Sequence, residues 1–177
     1  MDDAVPFASH FWFIALGVLL FARGMDFLST WVATPDLRFE GNPLAKFMGW
    51  KWGILFNLAI CIGFAFWPLP ALVICTCSVL VAARNFQQAW AMRSMGEESY
   101  RDWFVDRLRR TGFKLYLVCL IGEVSLTALV GAAVTYFAGR RLALQAIGTG
   151  IIGYAAAVLI FTLLALWRMR RAWRREF

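Results

Sequence analysis

Histidine is almost absent from this chain. One, His10, stands in 177 residues. It lies at the start of the first apolar segment, away from the other polar groups in the apolar segments. No nucleophile–base motif of the kind that drives acyl transfer is visible around it. Charge is scarce too: Asp, Glu, Lys and Arg make up 16% of the chain, apolar residues 61%, and mean hydropathy is +0.64. That composition excludes an ordinary soluble domain. Metal-type cysteine spacing is missing. Cys61, Cys75, Cys77 and Cys119 lie in apolar runs, and Cys75-x-Cys77 is not the CxxC of redox or zinc sites. The four are expected as small buried hydrophobes, with no metal site. The opening MDDAVPFASH lacks a basic region and a small-residue cleavage site, so no cleaved signal peptide is expected. Regular alternation is missing as well. A transmembrane barrel would alternate apolar and polar residues in segments of about 10, and 115–134 does not. No internal repeat is visible.

What is present is a set of long apolar runs. Crossing a bilayer takes roughly 20 apolar residues, and five stretches qualify: 11–33, 43–67, 71–92, 113–138 and 146–167. The reading is an all-α integral membrane bundle in one transmembrane domain. Asn42-Pro43 predicts a helix start, with Asn as N-cap and Pro in the first helical position. Pro68-Leu69-Pro70 predicts a tight turn. Between the third and fourth spans, 100–110 alternates charged residues with Trp103, Phe104 and Leu108, which predicts an amphipathic helix on the membrane surface.

Lys and Arg orient the spans. Three (Arg38, Lys46, Lys51) follow the first span, six (Arg93, Arg101, Arg107, Arg109, Arg110, Lys114) follow the third, and five lie in the tail. Only Arg140 and Arg141 fall on the other side, while Arg23 and Arg84 lie within spans. A bias of fourteen to two predicts an extracytoplasmic N-terminus and a cytoplasmic C-terminus in a multi-pass protein of the cell membrane. The net charge of +7 is thereby assigned to orientation and to anionic lipid headgroups at the basic tail and surface helix, not to nucleic acid.

Ionisable groups inside spans are costly and mark function by default. Arg23, Asp26 and Thr30, with Ser29 beside them, share a face of the first span. Arg84, Asn85 and Gln88 cluster in the third. Cys119, Glu123, Thr127 and Gly131 form an i, i+4 row in the fourth, with Glu123 about 15 Å from its start. Glu40 and Asn42 stand at the mouth of the second. These sets are expected to point into the bundle at one depth. A structural alternative stands beside this. Arg23 with Asp26, and Arg84 with Glu123, would then be ion pairs that set helix register. Asn42 would only cap a helix, and Glu40 would only answer a helix dipole. Asn57 reads as an interhelical hydrogen-bonding residue. In the fifth span Thr149, Gly153 and Ala157 form a small-residue row suited to close packing within the chain, or to a homo-oligomer seam.

Asp26-x-x-Ser29-Thr30 followed by Glu40-x-Asn42-Pro43 resembles the signature of a family of small, uncharacterised prokaryotic membrane proteins, and Asn85 is similar to a polar Asn late in their third helix. The resemblance covers roughly the first 90 residues. It implies a small helical bundle and points to Asp26, Glu40 and Asn42 together. It brings no activity or cofactor with it.

The leading expectation is binding, extending to transport, of a small cation or polar solute at a buried polar site facing the cytoplasm. Asp26 and Glu40 would supply charge, and Asn42, Ser29 and Thr30 neutral oxygens. Asp26 and Glu40 are expected to converge, with Arg23 and Arg84 as their candidate partners. Two alternatives stay open. One is an intramembrane enzyme acting on a lipid or lipid-linked substrate, with Asp26 and Glu123 as acid and base and Arg23 or Arg84 holding a phosphate. The other is a structural or accessory membrane subunit.

Overall fold

The computed structural model describes residues 4–37 and 42–173. These residues form six helices and no strand: α1 (His10–Ala33), α2 (Pro43–Phe64), α3 (Pro68–Met95), α4 (Glu97–Thr111), α5 (Phe113–Phe137) and α6 (Leu142–Trp173). Five of them, all but α4, are long and apolar enough to cross a membrane, which makes the chain a multi-pass membrane protein. The outward surface agrees: Phe21, Val118 and Leu126 are each about two-thirds exposed, as suits side chains bathed in acyl chains rather than water.

Local chemistry sets the helix ends. The Ser9 hydroxyl accepts from the Trp12 N–H at 3.2 Å and caps α1. The Lys46 N–H donates to the Asn42 carbonyl at 3.1 Å, so Asn42 stands at the N-cap position ahead of Pro43. Pro68-Leu69-Pro70 does not form a separate turn but is the first turn of α3. The reason is that the first turn of a helix has no use for the N–H groups that proline lacks. α2 is interrupted at Gly49, whose φ of 62° and ψ of −171° are non-helical. Only glycine takes up that conformation at little cost.

α1 packs along α3, α3 along α6, and α6 along α5, while α2 lies more loosely against α1 and α3. Two apolar clusters mark the ends of the α1–α3 seam. One, near the α2–α3 turn, holds Trp12, Leu19, Ala22, Cys61, Ala65, Ala71 and Cys75. The other, near α4, holds Ala33, Ala89 and Met92, with Tyr100 packed on it. Burial there pushes the Tyr100 phenol above its ordinary value. Along α1 and α3, Arg23, Asp26, Ser29, Thr30, Arg84 and Asn85 lie between these clusters.

The seam between α5 and α6 is very tight. A Cβ on Gly148 would run into Thr135 Oγ1 and lie 2.7 Å from the Gly131 carbonyl oxygen, and one on Gly131 would lie 2.8 Å from the Gly148 carbonyl oxygen. On the α3 side, a Cβ on Gly150 would lie 2.7 Å from Thr76 Cβ. Close packing therefore runs through Gly148 and Gly150 rather than through the expected row. Gly153 faces open space, Thr149 is exposed and Ala157 borders a cavity. The row points between the two flanking helices, so neither reaches it. Cys61 and Cys75 are buried as expected and Cys77 is half-buried, but Cys119 is exposed, because α5 packs mainly along α6 and leaves that face uncovered.

Candidate functional site

Arg23 is the hub of the polar layer. On α1, its Nη1 donates to Asp26 Oδ2 at 2.9 Å and to Ser78 Oγ on α3 at 3.1 Å. Its Nε donates to Asn57 Oδ1 on α2 at 2.7 Å, and Nη2 donates to the same oxygen. One guanidinium thus ties three helices together, using the planar fork that lysine lacks. Asn57 is held in turn by its Nδ2 donating to the Gly53 carbonyl, one turn back, at 2.8 Å. Ser29, fully buried, donates to the Asp26 carbonyl at 2.9 Å. Asn85 Nδ2 on α3 donates to Ser29 Oγ at 3.3 Å and to Thr30 Oγ1 at 3.1 Å. In the low dielectric between apolar clusters, such a network is favourable only when its members are satisfied.

A second ion pair joins Arg84 on α3 to Glu123 on α5. The Glu123 side chain is 48% exposed. The row Cys119, Glu123, Thr127 therefore does not point wholly into the bundle, for the reason that leaves Cys119 uncovered. Asp26 and Glu123 stand in two separate ion pairs rather than side by side as an acid and a base.

Between these pairs lies a cavity of about 390 Å³ walled by α1, α2, α3 and α6, within the size range of small-molecule sites. Arg23, Asp26, Thr30, Asn42, Asn57, Arg84, Asn85 and Gln88 supply its polar lining, and Phe27, Trp50, Phe56, Tyr154 and Phe161 much of the apolar remainder. Trp50 is pinned at the wall by its Nε1–H donating to the Pro35 carbonyl at 2.9 Å. Of the expected site residues, Arg23, Asp26, Thr30, Asn42, Arg84 and Asn85 line this one space, although they come from two helices and the N-cap of a third. Ser29 lies behind the wall, Glu123 is not among the lining residues, and Glu40 lies outside the described residues, so its convergence with Asp26 does too. Among the described residues no three His, Cys, Asp or Glu side chains gather as a metal site.

Among the described residues the charged lining consists of two guanidinium groups and one carboxylate. Arg23 spends its donors within the network. Arg84 spends Nη1 on Glu123, and its other nitrogens have no hydrogen-bond partner among the described residues. A small cation entering here would meet net positive charge. A neutral or anionic polar group would meet complementary donors.

Two of the participants carry signals in the sequence. Ser78 is not among the expected site residues, yet it lies seven residues before Asn85, two turns along the same face of α3. Asn57 was legible as an interhelical hydrogen bonder, but not as a wall of the cavity. The aromatic lining had no signal separable from that of lipid-facing side chains.

Comparison with family models, with curated proteins and with solved structures gives no match for this chain.

Proposed function

We propose that this protein binds a small polar solute in the cavity between α1, α2, α3 and α6. The observation that carries the reading is the concentration of polar lining residues from three helices around one ligand-sized space inside an otherwise apolar bundle. Polar groups at membrane depth normally pair with one another and leave no room. Here Arg23, Asn57 and Ser78 do pair, while Gln88 and Arg84, which spends only Nη1 on Glu123, line a space. Within the cation-or-solute alternatives, the lining charge favours a neutral or anionic solute over a bare cation. Binding is the core of the proposal. Transport would further require a path past Leu19, Ala22, Cys61 and Ala65, which pack the bundle on the side of the α2–α3 turn. We propose the cell membrane as its location, with the α4 end of the bundle in the cytoplasm, from the distribution of Lys and Arg. Kinship with the small prokaryotic membrane proteins that share the Asp26 and Asn42 motifs remains part of this proposal. It is supported by the shared cavity of Asp26, Thr30, Asn42 and Asn85.

The test is thermal unfolding of the detergent-purified protein against a panel of amino acids, polyols, carboxylic acids and sugar phosphates. At least one class should raise the midpoint, and Arg84→Gln should weaken that effect about tenfold, as loss of one charge-assisted contact implies, while staying monodisperse. If Asp26→Asn collapses expression and no panel member stabilises the wild type, the network is structural only.

A further inference from the structure

The walls of the cavity are not continuous. α2 and α6 face each other across it, yet among the described residues no Cα of α2 comes within 8 Å of a Cα of α6. α1 and α3 close the back by packing on one another. All four walls are spans, so the gap between α2 and α6 opens sideways at membrane depth, where the surrounding medium is acyl chain rather than water. Its borders suit that medium. Phe56 on α2 is about half exposed, and Tyr154 and Phe161 line the α6 side.

Inside the gap the chemistry changes over a few ångströms. Arg84 and Gln88 lie one helical turn apart on α3, both lining the cavity, and the Gln88 amide has no hydrogen-bond partner among the described residues. A guanidinium with spare N–H donors next to a primary amide is suited to the oxygens of a phosphate or carboxylate. A purely hydrophilic anion has no reason to use a side opening in hydrocarbon. A second helix seated in the gap would bring no anion to Arg84.

Resting on the reading of the cavity as a polar binding site, we propose that its ligand is an anionic amphiphile. Its phosphate or carboxylate headgroup would be held by Arg84 and Gln88, with its chains leaving through the gap between α2 and α6. Such a ligand loses little on binding, because its chains stay in an apolar medium while its headgroup exchanges interfacial water for fixed donors.

The same headgroup chemistry exists free in water, so the experiment compares both sources. The full chain in neutral detergent is titrated with phosphatidylglycerol, phosphatidylcholine and glycerol 3-phosphate, read by native mass spectrometry and by the thermal midpoint. Phosphatidylglycerol should bind about tenfold or more tightly than either alternative, and Arg84→Gln should erase about tenfold of that preference. Ala157→Trp, which fills the α6 side without changing charge, should weaken phosphatidylglycerol but not glycerol 3-phosphate. Gln88→Leu serves the headgroup arm if Arg84→Gln does not fold. Equal binding of glycerol 3-phosphate and phosphatidylglycerol would overturn the amphiphile and leave a water-borne solute in place. Phosphatidylglycerol binding unmoved by every variant would overturn the site, as would a dimer that Ala157→Trp dissociates, which would put a second copy in the gap. No binding by any of the three overturns the amphiphile, and the solute panel separately decides whether the cavity binds anything.

Discussion

The guanidinium of Arg23 on α1 donates through both Nε and Nη2 to a single oxygen, Asn57 Oδ1 on α2, 34 residues along the chain. α2 makes few other close approaches to the bundle. This contact therefore helps hold α2 where it forms a wall of the cavity, and the same guanidinium anchors Asp26 and Ser78.

Asn57→Leu should consequently destabilise the protein by about 1–2 kcal/mol, the upper range for interhelical hydrogen bonds in membranes, and Arg23→Gln by roughly 3 kcal/mol, because it breaks the partly buried ion pair with Asp26 together with the contacts to Asn57 and Ser78. A double-mutant cycle in reversible detergent unfolding should give a coupling of about 1 kcal/mol between them. Strict additivity would mean that α2 is held elsewhere.

The α5–α6 seam leaves no room for a side chain at Gly148, where a Cβ would meet Thr135 Oγ1 and lie 2.8 Å from the Thr135 backbone nitrogen. The obstacles are largely backbone and cannot rotate away. Gly148→Leu should cost about 3 kcal/mol or more through overpacking, whereas Gly153→Ala, which meets nothing within 4 Å, should change stability by less than about 0.5 kcal/mol. Unfolding midpoints of the two variants check this. A comparable loss at Gly153 would reveal a contact across a second copy.

The fourteen-to-two bias of Lys and Arg predicts opposite locations for the two ends. In a background with the four native cysteines replaced, Ala4→Cys should react with an impermeant maleimide on intact cells. Arg171→Cys should react only after permeabilisation. Labelling of both ends from one side would mean that one of the five apolar helices does not cross.

Fold class was legible in the sequence because bilayer thickness turns length and hydropathy into spans, and because backbone groups in hydrocarbon can be satisfied only within helices or closed barrels. The i, i+3 spacing of Arg23 and Asp26 foretold an ion pair on one face for the same local reason: helical periodicity is a property of the sequence. Asn42-Pro43 foretold a helix start.

The sequence could not say where those faces point, since a helix rotates freely about its axis until neighbours pack against it. Arg84 and Glu123 sit on helices α3 and α5, which make no close backbone approach to each other, and only their placement around α6 lets the two side chains meet. Gly148 and Gly150, rather than Thr149 and Gly153, became the close contacts because α5 and α3 flank α6 on those two sides. The cavity itself is a tertiary fact. It exists where α2, held through Arg23 and Asn57, stands apart from α6, and no periodicity in one helix records its distance from another.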